Sequence, residues 1–333
     1  MIRAGTVAAA LILPGLAMAQ GCPPAPEPVF SLAYGSRYAE SDGPGRILDE
    51  KADREVDEEL GPIDDFLRDL TDDANRVFAE DTDRQAIADC VLSRMAVWAR
   101  ADAMGDLRSN TSQLTIGSRL AAFGLTALQA APFATRQDDR AVVRDWLHRR
   151  QRAQMEYWET ATEGAARGNL RAWAALAGSA IGELANDAAM LGWSAWSASY
   201  ILCSAAPDGS LPQEMTRGRF ALHYQLHAIA PLTVTAARLN RLNLPITGQC
   251  DEALRRAVGF ALGDLEDGAQ TRAITGEVQT FFDGSDEIEG FNLAFLEAYL
   301  TLYPDPAAEA LAEEYRPLGH SKLGGDQTAI WRR

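Results

Sequence analysis

Apolar residues recur at three- and four-residue spacing along most of the chain, in runs at 86–104, 115–131, 141–158, 169–185, 187–205, 219–239, 251–265 and 287–303. That spacing collects the apolar side chains on one face of a helix. No stretch of alternating β-branched residues competes with it, so an all-α fold is expected. The runs return about every 25 to 30 residues. They are joined by short, turn-rich connections such as "AAPDGSLP" at 205–212, "NLPITGQ" at 243–249 and "YPDP" at 303–306. Repetition of that length predicts antiparallel helix hairpins stacked and closing into a toroid or arc. No charged linker or low-complexity segment divides residues 20–333, so they are expected to form one domain. Residues 23–45 are rich in Pro and Gly and poorly periodic, which predicts an extended N-terminal arm or lid.

Residues 1–19 break the pattern. They carry one positive charge, Arg3, then an apolar stretch of signal-peptide length and a small-x-small site at Ala17-Met18-Ala19. This predicts a cleaved secretory leader. Pro14 and Gly15 interrupt the run, and its shortness argues against a membrane anchor. Cys22 lies close enough to raise a lipoprotein, but "AMAQGC" lacks the aliphatic residue of a lipobox. An exported, periplasmic protein without membrane attachment is expected. In that compartment Cys22, Cys90, Cys203 and Cys250 are readable as two disulfides, and spacing alone allows three pairings. No Cys-x-x-Cys or His-rich pair points to a metal. The formal charge of −16 argues against nucleic acid or anionic membranes as partners. An anionic polymer could bind only where arginines are gathered into one cleft.

Chemistry-bearing residues concentrate in "DGSLPQEMTRGRFALHYQLHAIAPL" at 208–232. Arg217 and Tyr224 are seven residues apart, two helical turns, and His227 shares their face, whereas His223 is turned about 100° from Tyr224. A tyrosine beside an arginine is commonly structural, packing its ring and bonding its hydroxyl. In "RGNLRAWAALA" at 167–177, Asn169 suits an N-cap as well as a site.

Taken together, "NLRAWAALA" and the 208–232 stretch resemble the alginate lyases of polysaccharide lyase family 5. "CPPAPEPVFSLAYGSRYAESD" at 22–42 is similar to that family's N-terminal segment and lid, and "RMAVWARADAM" at 94–104 to its Trp-Ala-Arg helix. "FLEAYLTLY" at 295–303 and "KLGGDQT" at 322–328 resemble its two C-terminal blocks. The resemblance implies an incomplete toroid with a tunnel-like cleft. It also implies β-elimination in a uronic-acid polymer without a metal or other cofactor, alginate being the first candidate. A base removes the proton α to the uronate carboxylate while the 4-linked oxygen leaves, so donors must neutralise that carboxylate.

By position in the motif, Tyr224 falls on the family's catalytic tyrosine, Arg217 on its arginine and Asn169 on the carboxylate-holding asparagine. Arg37 and Tyr38 fall on the lid pair. Arg171, Trp173, His223 and His227 are further candidates for substrate contact. Cys22 and Cys90 match positions that the family pairs, which leaves Cys203 with Cys250. The chain departs from the family at Leu170, where a histidine is usual. Leucine neither neutralises a carboxylate nor carries a proton. Three readings follow: an active lyase whose remaining residues compensate, a degenerate polysaccharide-binding protein, or an Asn169 that merely caps a helix. A glycoside hydrolase would need two carboxylates across the cleft, and the sequence nominates none. Arg37, Arg46, Arg217 and Arg219 could supply a local positive field. Trp98, Trp193 and Trp196 are expected in the core and His148 in solvent. Gly324-Gly325 is expected as a tight turn with no helix after it.

Overall fold

The computed structural model describes residues 21–39 and 45–332; the expected leader, residues 1–19, lies outside them. Seven of the eight apolar runs become helix. The segments are Arg84–Arg100, Gly117–Ala130, Gln137–Thr160, Asn169–Ala185, Ala188–Leu202, Ala221–Arg241 and Ala253–Gly263. The expected 287–303 helix is broken into a 3-10 turn at Gly290–Leu293 and a short helix at Leu296–Leu300.

The longest helix, Glu50–Asn75, was not among the expected runs. Its buried stripe (Val56, Leu60, Ile63, Leu67, Leu70, Ala74) has perfect four-three spacing, but a densely acidic outer face hides it. Asp49 starts it, its carboxylate accepting from the backbone N–H groups of Lys51 and Ala52.

The helices alternate between two layers. Glu50–Asn75, Gly117–Ala130, Asn169–Ala185, Ala221–Arg241 and Leu296–Leu300 pack in succession as an inner row. Outside them, Arg84–Arg100 packs on Gln137–Thr160, and Ala188–Leu202 on Ala253–Gly263. The inner Asn169–Ala185 helix is buried on every side from Arg171 to Gly182, which its Ala, Gly and Ser residues permit. At Gly117 a Cβ would stand 2.9 Å from the backbone nitrogen of Ala174, so only glycine allows that helix crossing.

The N-terminal arm is extended, as expected, and is fastened along its length. Cys22–Cys90 is a disulfide, and Cys203–Cys250 is the second. The Trp98 indole donates to the Pro26 carbonyl (3.0 Å), Ser31–Leu32 pairs in parallel with Asp106–Leu107, and Tyr34 bonds Thr115 (2.6 Å). These anchors carry the arm to Arg37 and Tyr38.

At the other end, Gly319–His320 pairs antiparallel with Gly325–Asp326 around the Gly324-Gly325 turn. The turn is as expected, but a short helix, Gln327–Trp331, does follow it. Trp98 is core, with no exposed surface. Trp193 and Trp196 are not core: Trp193 is half-buried and Trp196 exposed. His148 is half-buried rather than solvated, its Nε2 2.8 Å from the Asp187 carboxylate. No helix among the described residues is long and apolar enough to cross a membrane.

Candidate active site

The N-terminal halves of four inner helices meet at one cavity of about 600 Å³. Val56 and Leu60, Ser118 and Arg119, Asn169 and Trp173, and Tyr224 and His227 come from successive helices. Helix N-termini present partial positive charge and free N–H groups, so their convergence favours an anion. Arg37, Arg119, Arg217 and Lys322 add formal charge to the lining, against one carboxylate among the described residues, Glu214. The acidic protein therefore does gather cations into one cleft. Asp64 holds Arg119 with two bonds (2.9 and 2.6 Å), and Asp53 and Asp57 hold Arg37. Of the other expected contributors, Arg219 is bound to Asp283 outside this cavity, and Arg46 passes Gly218.

Arg217, Tyr224, Tyr38 and Asn169 are brought together. The Arg217 guanidinium lies 3.8 Å from the Tyr224 ring centroid and 4.6 Å from that of Tyr38. Its Nε and one terminal nitrogen are buried with no hydrogen-bond partner among the described residues. Gly45, at φ +71°, lies directly over it: a Cβ there would sit 3.0 Å from the guanidinium. The hydroxyls of Tyr38 and Tyr224 are hydrogen-bonded to each other, so the arm closes on the phenol. Burial pushes the Tyr224 phenol well above its ordinary pKa, Arg217 pulls it down, and the Tyr38 hydroxyl pushes it further up. The resting group is a neutral phenol.

Asn169 is not the helix cap. That position is Gly168, and Asn169 is the first helical residue. Its exposed donors are satisfied by a residue that the sequence did not single out. Glu214 accepts from the Asn169 backbone N–H (2.7 Å) and from its side-chain Nδ2 (2.9 Å). Asn169 Oδ1 is left buried without a hydrogen-bond partner among the described residues. Burial pushes the Glu214 carboxyl up to about 7, against the opposing bonds from Asn169 and the charge of Arg217. Leu170 lines the cavity beside it.

The histidines sit at the junction with a second cavity of about 760 Å³, which shares His227 and Lys322 with the first. The Trp173 indole donates to His227 Nε2 (2.9 Å). An indole can only donate, so the His227 proton is on Nδ1. Burial holds His227 well below its ordinary pKa, helped by the charges of His223 and Lys322 if they form. His223 faces the second cavity, its Nδ1 3.2 Å from Asp286.

Two residues near the C-terminus complete this junction and were not nominated from the sequence. His320 is pushed down to about 3 by burial and then by Lys322, and Lys322 is pushed down to about 8 by burial and then by Arg119. Arg171 is not brought into the cleft. It points to the outer layer, under Trp196. Among the described residues, no group of three or more His, Cys, Asp or Glu side chains is arranged to hold a metal ion.

A two-layered helical toroid thus places a phenol, a guanidinium and an asparagine in one cleft. Comparison with known proteins makes this specific: the alginate lyase family model matches residues 36–270, and the chain belongs to that family. The chain is 27% identical over 252 residues to an alginate lyase of Pseudomonas syringae pv. syringae (strain B728a), covering 73% of this chain and 65% of the relative. It thus spans just under two thirds of that relative's length. A polysaccharide lyase of Stenotrophomonas maltophilia is 28% identical over 299 residues, covering 87% of this chain and 85% of the relative. Among solved structures, a histidine-to-alanine variant of alginate lyase A1-III complexed with tetrasaccharide superposes with a TM-score of 0.80 at 21% identity, covering 93% of this chain and 85% of the other. That likeness establishes the fold as the incomplete (α/α) toroid.

Proposed function

We propose that the protein is a periplasmic lyase that cleaves a 1,4-linked polyuronate, alginate or polymannuronate first, by β-elimination at Tyr224. The observation that carries this reading is Arg217 stacked on Tyr224 inside a cleft of helix N-termini. In the proposed step Tyr224, as phenolate, takes the proton from C5 while the C4–O bond breaks and a C4=C5 double bond forms. The tyrosine then returns a proton to the departing oxygen. Arg217 lowers the cost of the phenolate and of the charge that develops on the uronate carboxylate. The Tyr38 hydroxyl, already bonded to the phenol, is the exit for its resting proton. The expected leader and the two disulfides support export to the periplasm.

Glu214 and Asn169 supply what Leu170 does not. When Glu214 is protonated, its hydroxyl donates to Asn169 Oδ1, and the amide turns so that Nδ2 faces the uronate carboxylate. Since the carboxyl titrates at about 7, kcat/KM is expected to fall as pH rises through about 7, where the donor form is lost. Glu214→Gln keeps both a donor and an acceptor and should retain turnover with that limb removed. Glu214→Ala should lower turnover about tenfold to a hundredfold, the scale of a buried hydrogen-bond partner lost. The pH–rate profiles of the two variants check this. A Glu214→Gln profile that keeps the limb would exclude Glu214 as its source.

The second reading is a polysaccharide-binding protein without activity. The Tyr38–Tyr224 bond and Leu170 favour it, because both leave the proton-transfer site less free. Mass analysis of the products from polymannuronate, polyguluronate and polygalacturonate separates the readings. Elimination yields fragments one water lighter than hydrolysis would. Intact polymer with measurable binding would leave only the binding reading.

A further inference from the structure

The proposed chemistry does not use the aromatic stripe on the outer Ala188–Leu202 helix. Trp193, Trp196 and Tyr200 are three and four residues apart and share one face. Trp196 is 49% exposed and stacks on Tyr200 with 5.4 Å between ring centroids and 20° between planes. Behind the pair lies Arg171, only 3% exposed, its guanidinium 4.5 Å from the Trp196 ring centroid and 5.5 Å from that of Tyr200. Its Nε donates to Ser197 (3.1 Å), and its buried Nη2 is 3.7 Å from the Glu159 carboxylate, with no hydrogen-bond partner among the described residues. Burying that charge is costly, and the surrounding rings offset it only in part. Arg167 also places its guanidinium 5.5 Å from the Tyr200 ring centroid, and its Nε donates to the hydroxyl (3.2 Å).

This cluster is continuous with the cleft. Thr162, Gly164, Ala165 and Gly168 line the catalytic cavity, and Arg167 leaves the same short segment to reach Tyr200. The rim thus has a cleft on one side and an aromatic, doubly cationic ledge on the other. Arg167 is paired with Glu163 at 2.7 Å, but an exposed pair of this kind is exchanged at little cost.

We propose that Trp196, Tyr200 and Arg167 form an outer binding platform for a polyuronate chain that leaves the cleft over the 162–168 rim. The apolar face of a sugar ring stacks on Trp196, its carboxylate pairs with Arg167, and Arg171 supports the site from behind with buried positive charge. The proposal rests on the polyuronate reading. A long polymer engages cleft and platform together and gains from the high effective concentration of the second contact. An oligosaccharide that only fills the cleft does not reach the platform.

The test uses the full protein in two arms. In native gels containing sodium alginate or dextran, the Tyr224→Phe protein is compared with the same protein carrying Trp196→Ala. Alginate should retard the first, and the added substitution should weaken that affinity roughly fivefold to tenfold, the scale of one exposed aromatic and cation contact. Dextran should retard neither. In the kinetic arm, Trp196→Ala alone should raise KM for long alginate by a similar factor and leave kcat and KM for a tetrasaccharide unchanged. Trp196→Phe should restore most of the loss.

Unchanged retardation and unchanged polymer KM in Trp196→Ala would overturn the platform while leaving the lyase reading intact. Equal losses on polymer and tetrasaccharide, equal retardation by dextran, or conversion of a dimer to a monomer in sedimentation would also overturn it. No cleavage and no retardation of the parent proteins by any polyuronate would overturn both.

Discussion

Tyr224→Phe should lose turnover by about 10²–10⁴-fold, the usual worth of positioned acid–base groups, while its affinity for polyuronate stays within a factor of a few. The substitution removes one oxygen and leaves the ring on which Arg217 stacks at 3.8 Å, so the shape of the cleft is preserved. It also removes the bond that holds Tyr38 over the site, and substrate entry should become easier. Ultraviolet absorbance measures the first effect and titration calorimetry the second. Loss of binding in parallel with turnover would mean that the hydroxyl holds substrate rather than moving a proton.

Arg217→Ala should cost about 10²–10³-fold in kcat, comparable to removing a donor that stabilises developing charge. Two of its nitrogens are buried without hydrogen-bond partners among the described residues, which is the condition of a group kept for a ligand. Without it, burial and the Tyr38 hydroxyl act on the Tyr224 phenol with no guanidinium to oppose them. Arg217→Lys should rescue little, because an ammonium group cannot lie flat between two rings and present several donors at once. Steady-state kinetics on polymannuronate check both variants. Full activity in Arg217→Ala would remove the electrostatic part of the mechanism.

The three-and-four spacing carried most of the helices, and the seven-residue separation of Arg217 and Tyr224 put them on one side of a chain segment before any packing was known. What spacing did not show was which partners arrive from elsewhere. Glu214 stands three residues before Arg217 in a stretch already singled out, yet its importance comes from capping the helix that begins at Asn169, a contact across 45 residues. Lys322 reaches the cleft, and His320 the second cavity beside it, only because the C-terminal hairpin folds back on the inner helices.

The placement of Arg171 is legible in the sequence. Asn169 and Arg171 are two residues apart on a helix, about 200° around the axis, and cannot share a face. Trp173, four residues from Asn169, does share its face and lines the cavity. Trp196 failed for the opposite reason: a tryptophan on a helix usually buries its ring, and this one covers an arginine instead.

The central claim is elimination at a cleft that lacks the usual histidine, and its most direct measurement is the ultraviolet absorbance of the purified protein with polymannuronate. The mechanism predicts a steady rise from unsaturated uronate, slowed about 10²–10⁴-fold by Tyr224→Phe and retained in Glu214→Gln. A flat trace from the unsubstituted protein on every polyuronate, with binding still detectable, would contradict it and leave Leu170 as the mark of a site that binds without cutting.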